Sequence, residues 1–506
     1  FFGANQLVPP IVDDTFGYHI PGPPQVGVWW CEATYKVGCH RALPSATGAA
    51  VEIEAARNEY EPFQILLRPE ATLTNLTVSI SDFARASDGG EGRIAATNVE
   101  ICLVEYVPVT EPSDSFGVVG EWPDPLVPLT EPVTSRSGTN QPFWFTVYVP
   151  KEAPAGHYAA TVTFSADGLP PFDVTVHLRV FNFALSDVTH TRTAYGLTPD
   201  YIWHGLTTDA EKDQVWDLYL QNFRKHRISP YMPHYRAQIW WGFESDTETF
   251  RHNFAAFDTA MERYLDEFNF NSFKFMDEPW TLNGHPRFSP GFNQLFARLL
   301  QPMMAHFRER GWAQKAYAYW IDEPDAELFP FVIEGMQAHL EAAPGLRRLL
   351  TLINTLRPEL FNHVDTWAPI MAPSMYRPEE IEERLRHGDE VWWYTASFPV
   401  APQANNFIDH PALSHRIRGW MAEKHGVGGE LYWQTTWYTG TDGPRNPWTD
   451  AMSAGPTGSK LRNGDGTLLY PPVKDLPSEP VLAGPINSLR WEDRKSTRLN
   501  SSHRIR

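Results

Sequence analysis

The feature that most constrains this chain is a change of rhythm near residue 186. Before it, short runs alternate polar and apolar residues with a period of two: VEIEA from Val51, LTVSIS from Leu76, FWFTVYVP from Phe143, YAATVTF from Tyr158 and FDVTVHLRVF from Phe172. Successive side chains on a strand point to opposite faces, so this period buries one face and wets the other. Turn clusters such as SDGGEG and SADGLPP separate the runs. The pattern predicts a β-sandwich over residues 1–186.

After FNFALSD, short apolar strands alternate with amphipathic helical stretches. The strand candidates are RTAYGL (192–197), ISPYMP (228–233), NSFKFM (271–276), AYAYWI (316–321), RRLLTL (347–352), TWAPIM (366–371), VWWYTA (391–396) and GELYWQTTW (429–437). Helix-like segments such as DAEKDQVWDLYLQNFRKH and GFNQLFARLLQPMMAHFRERG lie between them. Eight strands with seven intervening helices predict a (β/α)₈ barrel over 187–492, with an open doubly wound sheet as the alternative. The chain is thus a multidomain protein, β followed by α/β. Its last residues, DRKSTRLNSSHRIR (493–506), are polar, basic and aperiodic, and read as an unstructured, artefactual tail.

Charge narrows the function. There are 61 Asp+Glu against 42 Lys+Arg, a net charge of −19. So acidic a surface repels phosphate backbones and anionic lipid heads, which argues against nucleic acid and membrane partners. No apolar run reaches the roughly 20 residues that span a bilayer, and the start FFGANQLVPP lacks the marks of a signal peptide. Cys31, Cys39 and Cys102 make neither a disulfide framework nor a metal set; one Cys31–Cys39 bridge and three buried thiols fit equally well. The 18 histidines show no HxH or HExxH spacing, and neither a P-loop nor a GxGxxG after a strand occurs. No metal or cofactor is therefore expected. The 19 Trp, 19 Tyr and 30 Phe supply the flat apolar faces that sugar-gripping proteins use, although most belong to cores.

Active sites of such barrels form at the C-terminal strand ends. The fourth candidate strand ends in Trp320-Ile321-Asp322-Glu323-Pro324. Two adjacent carboxylates there repel each other, which raises one pKa, as a general acid working near neutral pH requires. The bland reading is that Asp322 or Asp325 caps the next helix. Ordinary retaining glycosidases place a second carboxylate about 5 Å from the first as nucleophile, commonly after strand seven in barrel enzymes. Here VWWYTASFP and YWQTTW carry none. A 2-acetamido sugar supplies its own nucleophile: its amide oxygen attacks the anomeric carbon to give an oxazolinium, and the enzyme needs only an acid/base and a carboxylate for the amide N–H. A second Asp-Glu-Pro, at Asp277-Glu278-Pro279, is either a capped loop or, in a two-carboxylate glycosidase acting on non-acetamido sugars, the source of the nucleophile. A non-catalytic carbohydrate-binding barrel is the remaining alternative.

RNEYEPFQILLRP, VPKEAPAGHYAATVTF, WIDEPD, GELYWQTTWY, NGDGTLLYPP and SLRWE, in this order and spacing, make the chain resemble glycoside hydrolase family 123 and the related proteins of domain of unknown function 4091, nearly throughout as far as Glu492. The resemblance implies a β-sandwich followed by a (β/α)₈ barrel, and a retaining β-N-acetylgalactosaminidase that releases terminal β-linked N-acetylgalactosamine from a glycan or glycoconjugate. It implies that Asp322 holds the acetamido N–H and that Glu323 protonates the leaving oxygen and then activates water. Relatives continue past SLRWE into an acidic helical segment, so the last barrel helix is expected to be missing or stunted. Among supporting residues, Trp433 and Trp437 are candidates to floor the sugar pocket and Tyr394 or Tyr376 to hold the acetamido carbonyl. Asp465 and His234 are candidates for sugar hydroxyls. A chain that trims such glycans is expected in a secreted or periplasmic setting.

Overall fold

The computed structural model describes residues 8–85, 92–353, 355–372 and 377–492. The period-two runs form two facing sheets. One has the strand order Tyr18–Ile20, Val26–Glu32, Glu59–Pro69, Gln141–Val149, Val99–Val109, Gly120–Pro128. The other runs Val133–Ser135, Leu73–Ile80, Gly156–Ala166, Leu169–Ala184, Val51–Arg57. Alternation along Leu169–Ala184 sends Val174, Val176, Leu178 and Val180 inward and leaves their neighbours in water. They meet Phe63, Ile65, Phe143 and Phe145 of the opposite sheet, with Phe63 and Phe145 stacked at 4.9 Å. Cys31 and Cys39 do not pair in a disulfide, and burial pushes the Cys31 thiol well above its ordinary pKa.

The second half forms one parallel sheet that curls into a nearly closed barrel. Its seven strands are Arg192–Tyr195, Phe273–Lys274, Ala316–Ala318, Arg347–Leu352, Thr366–Pro369, Glu390–Thr395 and Gly429–Tyr432, with the last returning to pair with the first. The expected second strand, 228–233, is not a regular strand. Two of its six residues are prolines, Pro230 and Pro233, which carry no N–H for a ladder. It fills the gap with single bonds instead: Tyr231 N donates to Tyr195 O at 2.9 Å, and Lys274 N to Tyr231 O at 2.7 Å.

The helix count also departs from the expected pattern. Helices Asp209–Lys225, Ala255–Met261, Pro290–Glu309, Phe329–Ala342, Pro378–His387 and Ala412–Lys424 separate strand positions. Between Arg347–Leu352 and Thr366–Pro369 only a 3₁₀ turn, Pro358–Leu360, occurs among the described residues. The first helix opens with a capping box: Thr208 Oγ1 accepts from Glu211 N, and Glu211 Oε2 accepts from Thr208 N at 2.9 Å. Pro290–Glu309 buries the stripe Phe292, Leu295, Phe296, Leu299, Leu300, Met303 and Phe307 against the sheet. No helix among the described residues is long and apolar enough to cross a membrane.

The C-terminal part returns to the sandwich. Ile486–Ser488 pairs with Gly120–Pro128, and Leu469–Tyr470 adds beyond it, so both extend the first sandwich sheet. A short helical turn, Leu489–Glu492, follows at the end of the described residues. It buries Arg490 completely against Asp124. Arg490 Nε and Nη2 grip the carboxylate at 2.9 and 2.7 Å, and the remaining N–H groups reach the carbonyls of Asn406, Gly464 and Thr467. Tyr470 donates to the same carboxylate at 2.6 Å. Every guanidinium N–H is thus used. Removing one partner strands the other charge in the interior, so Arg490→Met or Asp124→Asn is expected to cost about 3–5 kcal/mol in urea unfolding, with part regained in the Asp124→Leu/Arg490→Met double variant. Single variants as stable as wild type would refute this ledger.

Candidate active site

Strand Ala316–Ala318 aims Tyr317 and Tyr319 into the barrel and Ala316, Ala318 and Trp320 into the helix layer. Continued, the alternation would send Asp322 and Glu323 apart. The backbone of Glu323 breaks it by adopting left-handed geometry, φ +44°, a conformation that costs a non-glycine residue about 1–3 kcal/mol and persists only where its surroundings impose it. The surroundings are hydroxyls of the same segment, of the next strand and of a strand across the barrel. Thr351 Oγ1 accepts from Glu323 N at 3.1 Å and donates to Asp322 Oδ1 at 2.7 Å, so one hydroxyl sets both residues. Tyr319 also donates to Asp322 Oδ1, at 2.7 Å. Tyr394 donates to Glu323 Oε1.

The two carboxyls therefore differ. Burial raises the Glu323 pKa above the usual carboxylate range, the Tyr394 hydrogen bond works against that, and the charge of Asp322 adds to it. Tyr319, Tyr231 and Tyr394 are held firmly protonated by burial, with Asp322 adding to the effect for all three and Glu323 for Tyr394. The mouth thus presents one carboxylate gripped by two hydroxyls beside one carboxyl biased toward its neutral form.

Tyr394 lies on strand Glu390–Thr395, and its neighbour Gly429–Tyr432 leads straight into Trp433. Trp433 and Trp437 are half-buried and meet edge to face at 5.2 Å. Trp433 Nε1 donates to Asp465 Oδ1 at 3.1 Å, and Trp437 Nε1 to Ala454 O at 2.7 Å. Gly466 must be glycine twice over: φ is +71°, and a Cβ would stand 2.4 Å from the Trp433 ring. Asp465 itself is fully buried, accepts from Tyr432 and Trp433, and is pushed up to about 6 by burial. It sits at the N–H edge of the indole, where it anchors Trp433.

Comparison with known proteins now bears on this geometry. A family model described as the glycoside hydrolase 123 catalytic domain matches residues 210–498, and the model of the glycoside hydrolase 123 N-terminal domain matches residues 40–166. The chain belongs to glycoside hydrolase family 123. This family 123 hydrolase also shares its fold with a solved family 123 glycoside hydrolase from Clostridium perfringens, whose structural analysis concerns glycolipid glycan hydrolysis. The TM-score is 0.67 at 15% identity, over 93% of this chain and 86% of that one. A family 39 glycoside hydrolase from Bacteroides cellulosilyticus matches at 11% identity over 88% and 80%, but its TM-score of 0.34 carries no argument. Among curated protein sequences, none matches.

The other candidate residues fall in different places in the family 123 chain. His234 is buried between Phe257 and Phe273, with ring centroids at 5.0 and 5.9 Å, and burial lowers its imidazole to about 4. It packs as a neutral core group. Tyr376 lies outside the described residues. Asp277 is exposed and paired with Lys274, while Glu278 is buried 3.4 Å from His339 in the helix layer. Sequence reasoning missed Tyr319 and Thr351. Tyr319 was legible as the third residue before Asp322; Thr351 sits on another strand and left no local signal. Among the described residues no group of His, Cys, Asp and Glu could hold a metal ion.

Titration of the Glu323 carboxyl carbon by NMR tests the electrostatics. Tyr394→Phe removes a hydrogen bond that favours the charged form, so the pKa is expected to rise. Asp322→Asn removes a like charge, so it is expected to fall. Shifts of the same sign in both variants would refute this account.

Proposed function

We propose that this hydrolase is a retaining β-N-acetylgalactosaminidase that releases terminal β-linked N-acetylgalactosamine by substrate assistance. The observation that carries the reading is the asymmetry of the pair: a raised, half-buried Glu323 beside an Asp322 held by two hydroxyls. Glu323, protonated at the outset, donates its proton to the glycosidic oxygen as the C–O bond breaks. The substrate's acetamido oxygen attacks the anomeric carbon from the opposite face and forms the oxazolinium, while Asp322 holds the amide N–H and balances the positive charge. Glu323, now a carboxylate, takes a proton from the water that opens the ring, and two displacements return the original anomeric configuration.

Two facts support this over a two-carboxylate scheme. The strand ends after Tyr394 and Tyr432 carry hydroxyls, an amide and indoles where a nucleophile would stand. The rival carboxylates are poorly offered: Asp277 is tied to Lys274 in solvent, and Glu278 faces His339 in the interior. The preference for the galacto configuration rests on the family resemblance.

The test is hydrolysis of aryl β-N-acetylgalactosaminide beside the gluco epimer and plain β-galactoside. Cleavage confined to acetamido sugars is expected, with a β-configured first product by NMR. Glu323→Gln is expected to lose about 10²–10⁴-fold in kcat. Because the acid must start protonated, kcat/KM should fall as pH rises through the elevated Glu323 pKa, and Tyr394→Phe should move that limb to higher pH. Comparable cleavage of the plain galactoside would overturn the acetamido nucleophile and turn attention to Asp277 and Glu278.

A further inference from the structure

Trp280 is 71% exposed, an unusual position for the largest apolar side chain, and nothing in the catalytic reading employs it. We propose that Trp280 is the platform of a leaving-group subsite, taking the pyranose ring that carries the scissile glycosidic oxygen. This deepens the glycosidase reading and rests on it.

Position supports the assignment. Strands Phe273–Lys274 and Ala316–Ala318 run parallel in the register Phe273 with Ala316 and Lys274 with Tyr317. The loop holding Trp280 and the loop holding Asp322 and Glu323 therefore leave the sheet at the same end, side by side. The two loops also pack together. Phe288, at the far side of the Trp280 loop, meets Trp320 edge-on at 4.8 Å, and His339 beside Glu278 stacks parallel to that indole at 5.9 Å.

Rigidity supports it too. Trp280 starts a small hairpin, Thr281–Leu282 with His285–Pro286, closed by Asn283-Gly284 with φ +46° and +78°, the two-residue turn that matches strand twist. Arg287 N donates to Trp280 O at 2.9 Å. The Arg287 guanidinium lies 4.1 Å over the indole, and its Nε donates to Pro279 O at 3.0 Å, with Nη2 on Glu278 O. One indole face is thus occupied and braced, and the exposed remainder is preorganised at no further ordering cost. A flat aromatic face fits the C–H face of a hexose. In an enzyme that removes a terminal sugar, the terminal ring goes into the mouth over the acid, and the next ring is left toward the loops at the strand ends, one of which carries Trp280.

The experiment compares two substrates with the same β-N-acetylgalactosaminyl glycone. One is the glycosyl fluoride, whose leaving group has no ring; the other is a disaccharide in which the leaving group is galactose. For Trp280→Ala the ratio of kcat/KM, disaccharide over fluoride, is expected to fall about tenfold, with Trp280→Phe intermediate and thermal stability of all three alike. An unchanged ratio, or equal losses on both substrates, would overturn the subsite. If wild type cleaves only plain galactosyl substrates, the acetamido reading fails while the same ratio, measured on the galactosyl fluoride and galactosyl-galactose pair, still decides the role of Trp280. A folded wild type that neither cleaves nor, by calorimetry, binds either disaccharide overturns both.

Discussion

A guanidinium and a carboxylate removed wholly from water tie the C-terminal segment to the sandwich and, through the remaining donors, to loops of the barrel half. Burying an ion pair costs several kcal/mol per charge before any attraction is counted, and the cost is recovered only when geometry is bidentate and every remaining donor is satisfied. Arg490 meets both conditions on Asp124. Its other donors decide what the pair organises. Asn406 belongs to the loop that follows Tyr394, and Gly464 and Thr467 flank Asp465, the support of Trp433. A sandwich residue thereby fixes, through one side chain, two of the segments that rim the barrel mouth. Among the described residues, the groups bonded to the carboxyl pair, Tyr319, Thr351 and Tyr394, all belong to the barrel, so the sandwich acts on the site through the loops it braces.

At the mouth the same principle operates on a smaller scale. Two neighbouring carboxyls would repel and titrate as an undifferentiated pair if their environments matched. Thr351 and Tyr319 give Asp322 two donors, whereas Glu323 has Tyr394 as its donor inside a wall that desolvates it. A carboxyl that its environment biases toward the neutral form is the one suited to act as the acid. The left-handed turn at Glu323 brings the second carboxyl to the mouth, and the Thr351 hydroxyl, bonded to both residues, holds that turn in place.

How much of this the sequence disclosed follows from the range of each interaction. The switch from period two to alternating strands and helices is a local property, and the sandwich and the parallel barrel follow from it. The strand-end position of Asp322 and Glu323 follows too. Features set by contacts distant in sequence were hidden. Nothing near Asp124 announces Arg490, so the return of Ile486–Ser488 to the sandwich sheet could not be anticipated. Asp465 in a Gly-Asp-Gly turn reads as a candidate for sugar hydroxyls, and only the fold shows it buried and accepting from Trp433 and Tyr432. His234 reads as a strand-end ligand until Phe257 and Phe273 close on it. The irregularity of 228–233 is legible in the sequence, since Pro230 and Pro233 carry no N–H and forbid a full ladder there.

The composition of the strand ends carries one further argument about the proposed chemistry. A second carboxylate near Glu323 would lose its own hydration and would raise the Glu323 pKa further, beside an Asp322 that already does so. The barrel instead meets the pair with the hydroxyls of Tyr319, Thr351 and Tyr394, neutral groups that donate without adding charge, and with the protonated Tyr231 nearby. A mouth built this way has little capacity to stabilise an enzyme-borne anionic nucleophile, yet it suits a neutral amide oxygen that arrives with the substrate and becomes part of a cation. Under the proposed mechanism the positive charge would form next to the carboxyl that two hydroxyls keep oriented, so the electrostatic work would fall to a group already in place rather than to one that must be desolvated during the reaction.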